Sequence, residues 1–144
     1  MKLSYEYIRG LTAGEGTFTF SMNTVRGVKR RTPAFAIRMA VRDKELIEGV
    51  RDSLNLKNKV YIYNHQGKDG SIRQPQAMLI VREFPALRDV IIPVFYKRLK
   101  GYKRIQFEEW INNIGNDPLV PKTFKILYKI YQNGYFEEKA KRFE

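Results

Sequence analysis

Apolar residues recur along this chain in two periods, and the places where one gives way to the other outline its elements. The opening stretch is helical in pattern: Ser4 is a suitable N-cap, Glu6 falls in the first turn, and Gly14 and Gly16 bracket a stop. Glycine suits such a stop because it accepts the positive φ that ends many helices, so a helix is expected over 4–16. Thr17-Phe18-Thr19-Phe20-Ser21-Met22 then alternates polar with large apolar residues, as a half-buried strand does. Residues 23–32 are polar and basic around Gly27 and read as a turn. Beyond Pro33, residues Phe35, Ile37, Met39 and Val41 share one face, and Ala34, Ala36, Arg38, Ala40 and Arg42 share the other. An antiparallel hairpin is expected over 17–42.

Asp43 stands as the cap of a second helix, 43–54, with Leu46, Ile47, Val50 and Leu54 at core spacing. A second hairpin, 57–82, follows. Lys59 to Asn64 alternates around Val60 and Ile62, His65-Gln66-Gly67-Lys68-Asp69-Gly70 is a turn by its glycines, and Ser71 to Arg82 returns. Pro75 suggests an edge position or a bulge in the returning strand, because proline cannot donate to a ladder. Helices fill 85–134: Pro85 to Phe95, Tyr102 to Ile114, and Leu119 to Tyr131. The order αββαββα with further helices describes one α+β domain over 1–144, and it contains no internal repeat.

The first helix has an unusual surface. Gly10, Ala13 and Gly14 lie at i, i+3 and i+4 and so share one face, where the lack of bulk lets a second backbone come very close. Nothing else in the chain repeats this pattern, so the expected partner is the same helix of a second copy, with Gly10, Leu11, Ala13 and Gly14 at the seam. Glu15 is the second oddity, because the C-terminal end of a helix carries partial negative charge and disfavours an acid. Two copies packed through the small face bring two carboxylates and two sets of unpaired carbonyls to one place. Glu15 and Gly14 are then candidate oxygen ligands for hard divalent cations such as Mg²⁺. Read without a partner, Glu15 is a capping or salt-bridge residue.

Charge gives this surface a context. The chain carries 27 Lys and Arg against 15 Asp and Glu, a formal net charge of +12, which implies a polyanionic partner and most simply nucleic acid. The first hairpin holds Arg26, Lys29, Arg30, Arg31, Arg38 and Arg42 and no acid; the second holds Lys57, Lys59, Lys68, Arg73 and Arg82 against Asp69 alone. With Gln74 and Gln76, such a sheet is a candidate major-groove reader, since β-ribbons fit that groove and these side chains match base edges and phosphates. The competing reading is a solvated basic face. A strand of roughly 10 residues at about 3.3 Å each follows about one turn of duplex, so two copies would span on the order of 20 base pairs.

Other classes fall away. The hydrophobic share is 43% and the aromatic share 13%, against disorder. There is no cysteine, which fits a reducing, intracellular setting, cytoplasmic or organellar. His65 is the single histidine, so neither a histidine metal site nor a nucleophile–histidine pair is expected. No apolar run approaches the roughly 20 residues that span a membrane, and the N-terminus does not read as a signal peptide.

Ile8 to Gly16 resembles the nine-residue motif of the LAGLIDADG homing endonucleases, with Gly10, Leu11, Gly14, Glu15 and Gly16 in the expected places and Phe18 following. The order of elements over nearly the whole chain agrees with the single-motif, homodimeric type. Two positions depart: Ala13 stands where the family often has a first acid, and Met39 where it carries a polar residue on the second strand. The resemblance implies a site-specific double-strand DNA endonuclease with a long pseudo-palindromic target and a short 3′ overhang. It implies Glu15 as ligand of Mg²⁺, with Mn²⁺ or Ca²⁺ as other divalent occupants, Ca²⁺ in complexes that do not cut. It further implies a lysine after the third helix, and Leu99-Lys100-Gly101-Tyr102-Lys103-Arg104 resembles that region, giving Lys103 first and Lys100 second. On its own residues Lys103 is equally an ordinary surface lysine at a helix start. The same fold serves intron maturases, which act on RNA, and DNA-binding regulators that no longer cut; both are the alternative. A ribosome-associated or structural RNA-binding protein would account for the charge but not for the Gly10 to Gly16 seam.

Overall fold

The computed structural model describes residues 1–64, 70 and 74–144. In chain order the elements are α1 (Tyr5–Glu15), β1 (Gly16–Val25), β2 (Val28–Ala40), α2 (Lys44–Ser53), β3 (Tyr61–Tyr63), β4 (Gln76–Val81), the helical segment α3 (84–95), α4 (Gly101–Asn116), α5 (Lys122–Gln132) and α6 (Phe136–Ala140). The fold is mixed helix and sheet, and the strands form one antiparallel sheet in the order β1-β2-β4-β3. Contacts gather into two compact units, Met1–Gly16 with Ala36–Ile80, and Thr17–Phe35 with Val81–Glu144.

In the first unit, α1 starts as its sequence predicts, with Ser4 Oγ accepting from the Tyr7 N–H at 3.0 Å. Its end differs from the expectation. Gly16 has φ −91 and ψ 164, extended backbone that any residue adopts. Space, not conformation, calls for glycine there: a Cβ on Gly16 would stand 2.6 Å from Thr12 Cγ2 and 3.1 Å from the Thr12 backbone. Asp43 holds the N-cap position of α2 but makes no cap hydrogen bond. A short 3₁₀ turn over Val41–Asp43 leads into the helix, and at φ −100, ψ 17 Asp43 lacks the extended backbone a capping side chain needs.

The helix α2 buries Ile47 and Val50, and Leu54 just beyond its end is buried too. Asn55 then takes φ 55 and the Leu56 N–H reaches Arg51 O at 3.0 Å, the usual left-handed helix exit. The N-terminal residues dock on α2, where the Leu3 N–H donates to Ser53 Oγ at 2.8 Å.

On β4, Ala77 and Leu79 are buried while Gln76, Met78 and Ile80 are half-buried. The register with β3 pairs Tyr61 with Met78 and Tyr63 with Gln76. β4 is an inner strand, so the edge position expected for Pro75 does not hold. Pro75 precedes the strand's first residue and uses the acceptor it retains, its carbonyl receiving the Val41 N–H at 3.0 Å. The turn expected over His65 to Asp69, and Ser71 to Arg73 of the returning strand, lie outside the described residues.

In the second unit the broad turn expected over 23–32 contracts to Arg26-Gly27, with φ 51 and 78. Positive φ at both central residues is the two-residue turn whose twist matches an antiparallel ribbon. The strands run on through the polar stretch because an exposed ribbon needs no apolar alternation to stay paired. Below it lies an aromatic core: Phe18 has Phe35, Phe95, Phe107 and Trp110 at 5.0 to 5.4 Å between ring centroids. Trp110 Nε1 donates to Thr19 O at 2.8 Å, which satisfies the one polar atom of that ring.

The helices of this unit depart in detail from the sequence reading. α3 contains a wide π-helical turn over Leu87–Ile91, which ends two residues before Pro93, whose missing N–H would break an ordinary i→i−4 ladder. α5 begins at Lys122 after Pro121, not at Leu119, whose N–H is held by Asp117 Oδ1 at 2.8 Å. α6 lies beyond the expected helical region: Gly134, at φ 80, turns the chain, and Phe136, Ala140 and Phe143 are buried.

Candidate functional site

On α1, Ile8, Arg9 and Thr12 face inward, and Tyr7, Gly10, Ala13, Gly14 and Glu15 are exposed. A Cβ added at Gly10 or Gly14 would meet nothing within 4 Å, so the small face opens on free space within one chain. Arg9 is 5% exposed and donates from Nη1 to Glu6 Oε1 at 2.9 Å. The hydroxyl of Thr12 is fully buried with no hydrogen-bond partner among the described residues. Glu15 is the last residue of α1, no basic residue stands in that last turn, and it forms no ion pair among the described residues. The carbonyls of the last turn lie beside it, the Thr12 oxygen being taken by the Gly16 N–H. A carboxylate beside helix-end backbone carbonyls is an oxygen donor set, which fits a hard divalent cation and not a soft one. No group of three or more acidic, histidine or cysteine side chains that could hold a metal occurs among the described residues.

The same unit carries the outward face of β2, β4 and β3. Arg38 is exposed, and its Nη1 donates to the Tyr63 hydroxyl at 2.9 Å; that hydroxyl in turn donates to Gln76 Oε1 at 2.9 Å. Two residues singled out by sequence, Arg38 and Gln76, are thus joined through a third that was not. Tyr63 could have been found from its spacing: it lies two residues after Tyr61, on the same face of β3. Lys59 stands 5.4 Å from the Tyr61 ring centroid, and Arg42 and Gln74 are exposed. Met39, next to Arg38 in a strand, points to the opposite face and is half-buried. Lys68 and Arg73 lie outside the described residues.

In the second unit, Arg26, Lys29 and Arg30 are exposed around the tip of the β1–β2 ribbon. Arg31 is different: its guanidinium pairs with the Asp117 carboxylate, lies 4.5 Å from the centre of the Phe20 ring, and its N–H donates to Leu119 O at 3.0 Å. It fastens the ribbon to the loop after α4. Arg82 is exposed, with Nη1 reaching Ser21 Oγ at 3.3 Å.

The two lysines also differ. Lys100 is exposed at the N-cap position of α4, while Lys103 is half-buried in the first turn, and burial pulls its pKa below the ordinary lysine value. Lys103 Nζ donates to Gln106 Oε1 at 3.2 Å, and the same oxygen accepts from the Phe18 N–H at 3.2 Å. Gln106 lies at i+3 from Lys103 on one helix, a spacing that the sequence itself carries. No helix among the described residues is long and apolar enough to cross a membrane.

No protein-family model matches the sequence, and no curated protein matches it. Solved structures do. The homing endonuclease I-TnaI aligns over 100% of this chain and 100% of its own, at 18% identity and a TM-score of 0.62. The LAGLIDADG meganuclease I-CpaMI, bound to uncleaved DNA, aligns over 97% of this chain and 42% of its own, at 19% identity and TM-score 0.62. The LAGLIDADG homing endonuclease I-LtrWI, bound to target DNA, aligns over 99% of this chain and 44% of its own, at 20% identity and TM-score 0.60. The chain spans the whole of the first and less than half the length of the other two. These likenesses show the fold: the chain has the mixed helix and sheet fold of the LAGLIDADG homing endonucleases.

Proposed function

We propose that the chain is a site-specific double-strand DNA endonuclease that works as a homodimer with divalent metal ions. The observation that carries this reading is the outer side of α1, where Gly10 and Gly14 face open space and the helix ends on an acid with no ion pair among the described residues. A second copy of the helix accounts for both features. Gly10, Leu11, Ala13 and Gly14 permit close backbone approach, and the paired ends bring together two Glu15 carboxylates and the Gly14 carbonyls.

Glu15 and Gly14 would hold Mg²⁺, with Mn²⁺ or Ca²⁺ as other occupants. A bound cation of this kind supplies an activated water and neutralises charge on the phosphoryl and leaving oxygens. The chain's own contribution is positional. Lys103, held by Gln106, presents a cation to balance charge that builds on a phosphodiester, with Lys100 as the exposed alternative. Arg26, Lys29, Arg30, Arg42, Lys59 and Arg82 provide phosphate and base contacts, with Gln74, Arg38 and Gln76 at base edges. Arg31, already paired to Asp117, keeps the ribbon in place.

The test is cleavage selection from a randomised duplex library, using the wild type and Glu15→Gln, each with Mg²⁺ or with chelator. Ends released only by wild type with Mg²⁺, at sites sharing a long two-fold sequence, support the proposal. A second reading, a relative that binds DNA or intron RNA without cutting, is favoured by Ala13 and Met39. Under it the library is bound but never cut.

A further inference from the structure

We infer that Tyr63 is a positioning residue that fixes Arg38 and Gln76 as outward hydrogen-bond donors, so that this patch of the sheet selects guanine; the inference rests on the DNA-binding role proposed above. Tyr63 and Gln76 are direct cross-strand partners, and Arg38 joins them from β2 across β4. Both hydrogen bonds at the Tyr63 hydroxyl measure 2.9 Å.

A guanidinium can only donate, so the tyrosine oxygen accepts from Arg38. In the structure the Tyr63 proton goes to Gln76, whose amide oxygen faces the hydroxyl, and the Gln76 NH₂ group is left for another partner. A glutamine free to turn presents a donor beside an acceptor, the pattern that matches adenine N6 and N7. With its oxygen engaged, Gln76 offers donors. Arg38, tethered through one nitrogen, keeps its remaining N–H groups for a partner and is held ready in one orientation.

Two donor side chains on one exposed face call for an edge made of acceptors. In the major groove guanine N7 and O6 provide that edge, and phosphate oxygens offer the same chemistry without sequence information. The geometry favours the base. The chain of bonds runs across three adjacent strands of the sheet face, and it orients planar groups in a way that a point contact to phosphate does not require.

The experiment is binding selection from randomised duplexes in Ca²⁺, run with the wild type and Tyr63→Phe, followed by affinities for the selected duplex carrying 7-deazaguanine at each guanine in turn. The phenyl ring preserves packing and removes only the hydroxyl. The expected wild-type result is a required guanine in each half-site, where loss of N7 weakens binding about tenfold. Tyr63→Phe is expected to reduce that guanine preference by about the same factor, to admit adenine opposite the released Gln76 amide, and to leave preferences elsewhere unchanged. An unchanged site and stringency in Tyr63→Phe overturns the inference, as does indifference to 7-deazaguanine at every position. Uniform weakening across all sequences overturns it in favour of a phosphate contact. A wild type that selects no duplex at all removes the DNA-binding proposal itself, a result distinct from the other three. If Tyr63→Phe does not fold, Tyr63→Leu takes its place with the same expected loss of guanine preference, and an unchanged preference in it overturns the inference.

Discussion

Lys103 Nζ lies 3.2 Å from Gln106 Oε1, one turn along the same helix, with the ammonium half-buried. Burial lowers its pKa, so the proton is lost below the ordinary value of 10.5. If this charge serves cutting, the pH–rate profile has an alkaline fall that sets in below 10.5 and is absent in Lys103→Arg, which stays charged. Lys103→Met is expected to slow cutting on the order of 100-fold with DNA binding retained. The stability effect has the opposite sense: the folded pKa is below the unfolded one, so stability rises as pH climbs between the two. Thermal melts of wild type and Lys103→Met over that window read the difference.

Glu15→Gln keeps the shape of the side chain and removes its charge. Cutting is expected to vanish while affinity for duplex stays level or rises, because a negative group near phosphate is gone. Chelation should reproduce the loss of cutting in the wild type. Equal loss of binding and cutting in gel-shift and cleavage assays would assign Glu15 a structural part instead.

Gly10→Leu fills open space in the isolated chain, where a Cβ meets nothing within 4 Å. Its fold should therefore survive and its self-association should not. Sedimentation is expected to show a folded monomer; a persistent dimer would move the interface elsewhere.

Arg38→Ala separates base from phosphate contact by a different route from the hydroxyl deletion. Relaxed discrimination at one base pair, worth about 1–3 kcal/mol, is the expected result in competition binding.

Gly115→Ala tests the second unit alone. A Cβ at Gly115 would sit 2.3 Å from ring atoms of Tyr128, and a ring cannot yield as the end of a flexible chain does. Overpacking of this kind costs about 1–3 kcal/mol, readable as a lowered denaturation midpoint with an unchanged slope.

The α1 helix was legible because every signal agreed: the Ser4 cap, the glycines and the sudden change of period. Its stop was legible in place but not in cause, since the crowding of Gly16 against Thr12 is a contact that no local pattern records. The full length of the β1–β2 ribbon is not legible, because charged residues on an exposed hairpin carry no apolar period. Pro75 shows a related limit: it stands just before β4, where its carbonyl accepts from the Val41 N–H and its missing N–H lies outside the strand. Among candidate site residues, sequence could nominate Arg38, Gln76 and Lys103 by type and place. Tyr63 and Gln106 leave a trace in spacing alone, at i+2 from Tyr61 and i+3 from Lys103, whereas Asp117 leaves none, because its partner Arg31 is far away in sequence.

The tip of the ribbon carries one more implication. Arg26 sits at φ 51, a conformation in which asparagine or glycine would be at ease and a long branched cation is not. Replacing it with asparagine should make the hairpin itself sturdier while stripping a positive charge from its leading point. Selection for stability alone would have no use for a guanidinium in that seat, so the tip is where foldability and grip pull in opposite directions.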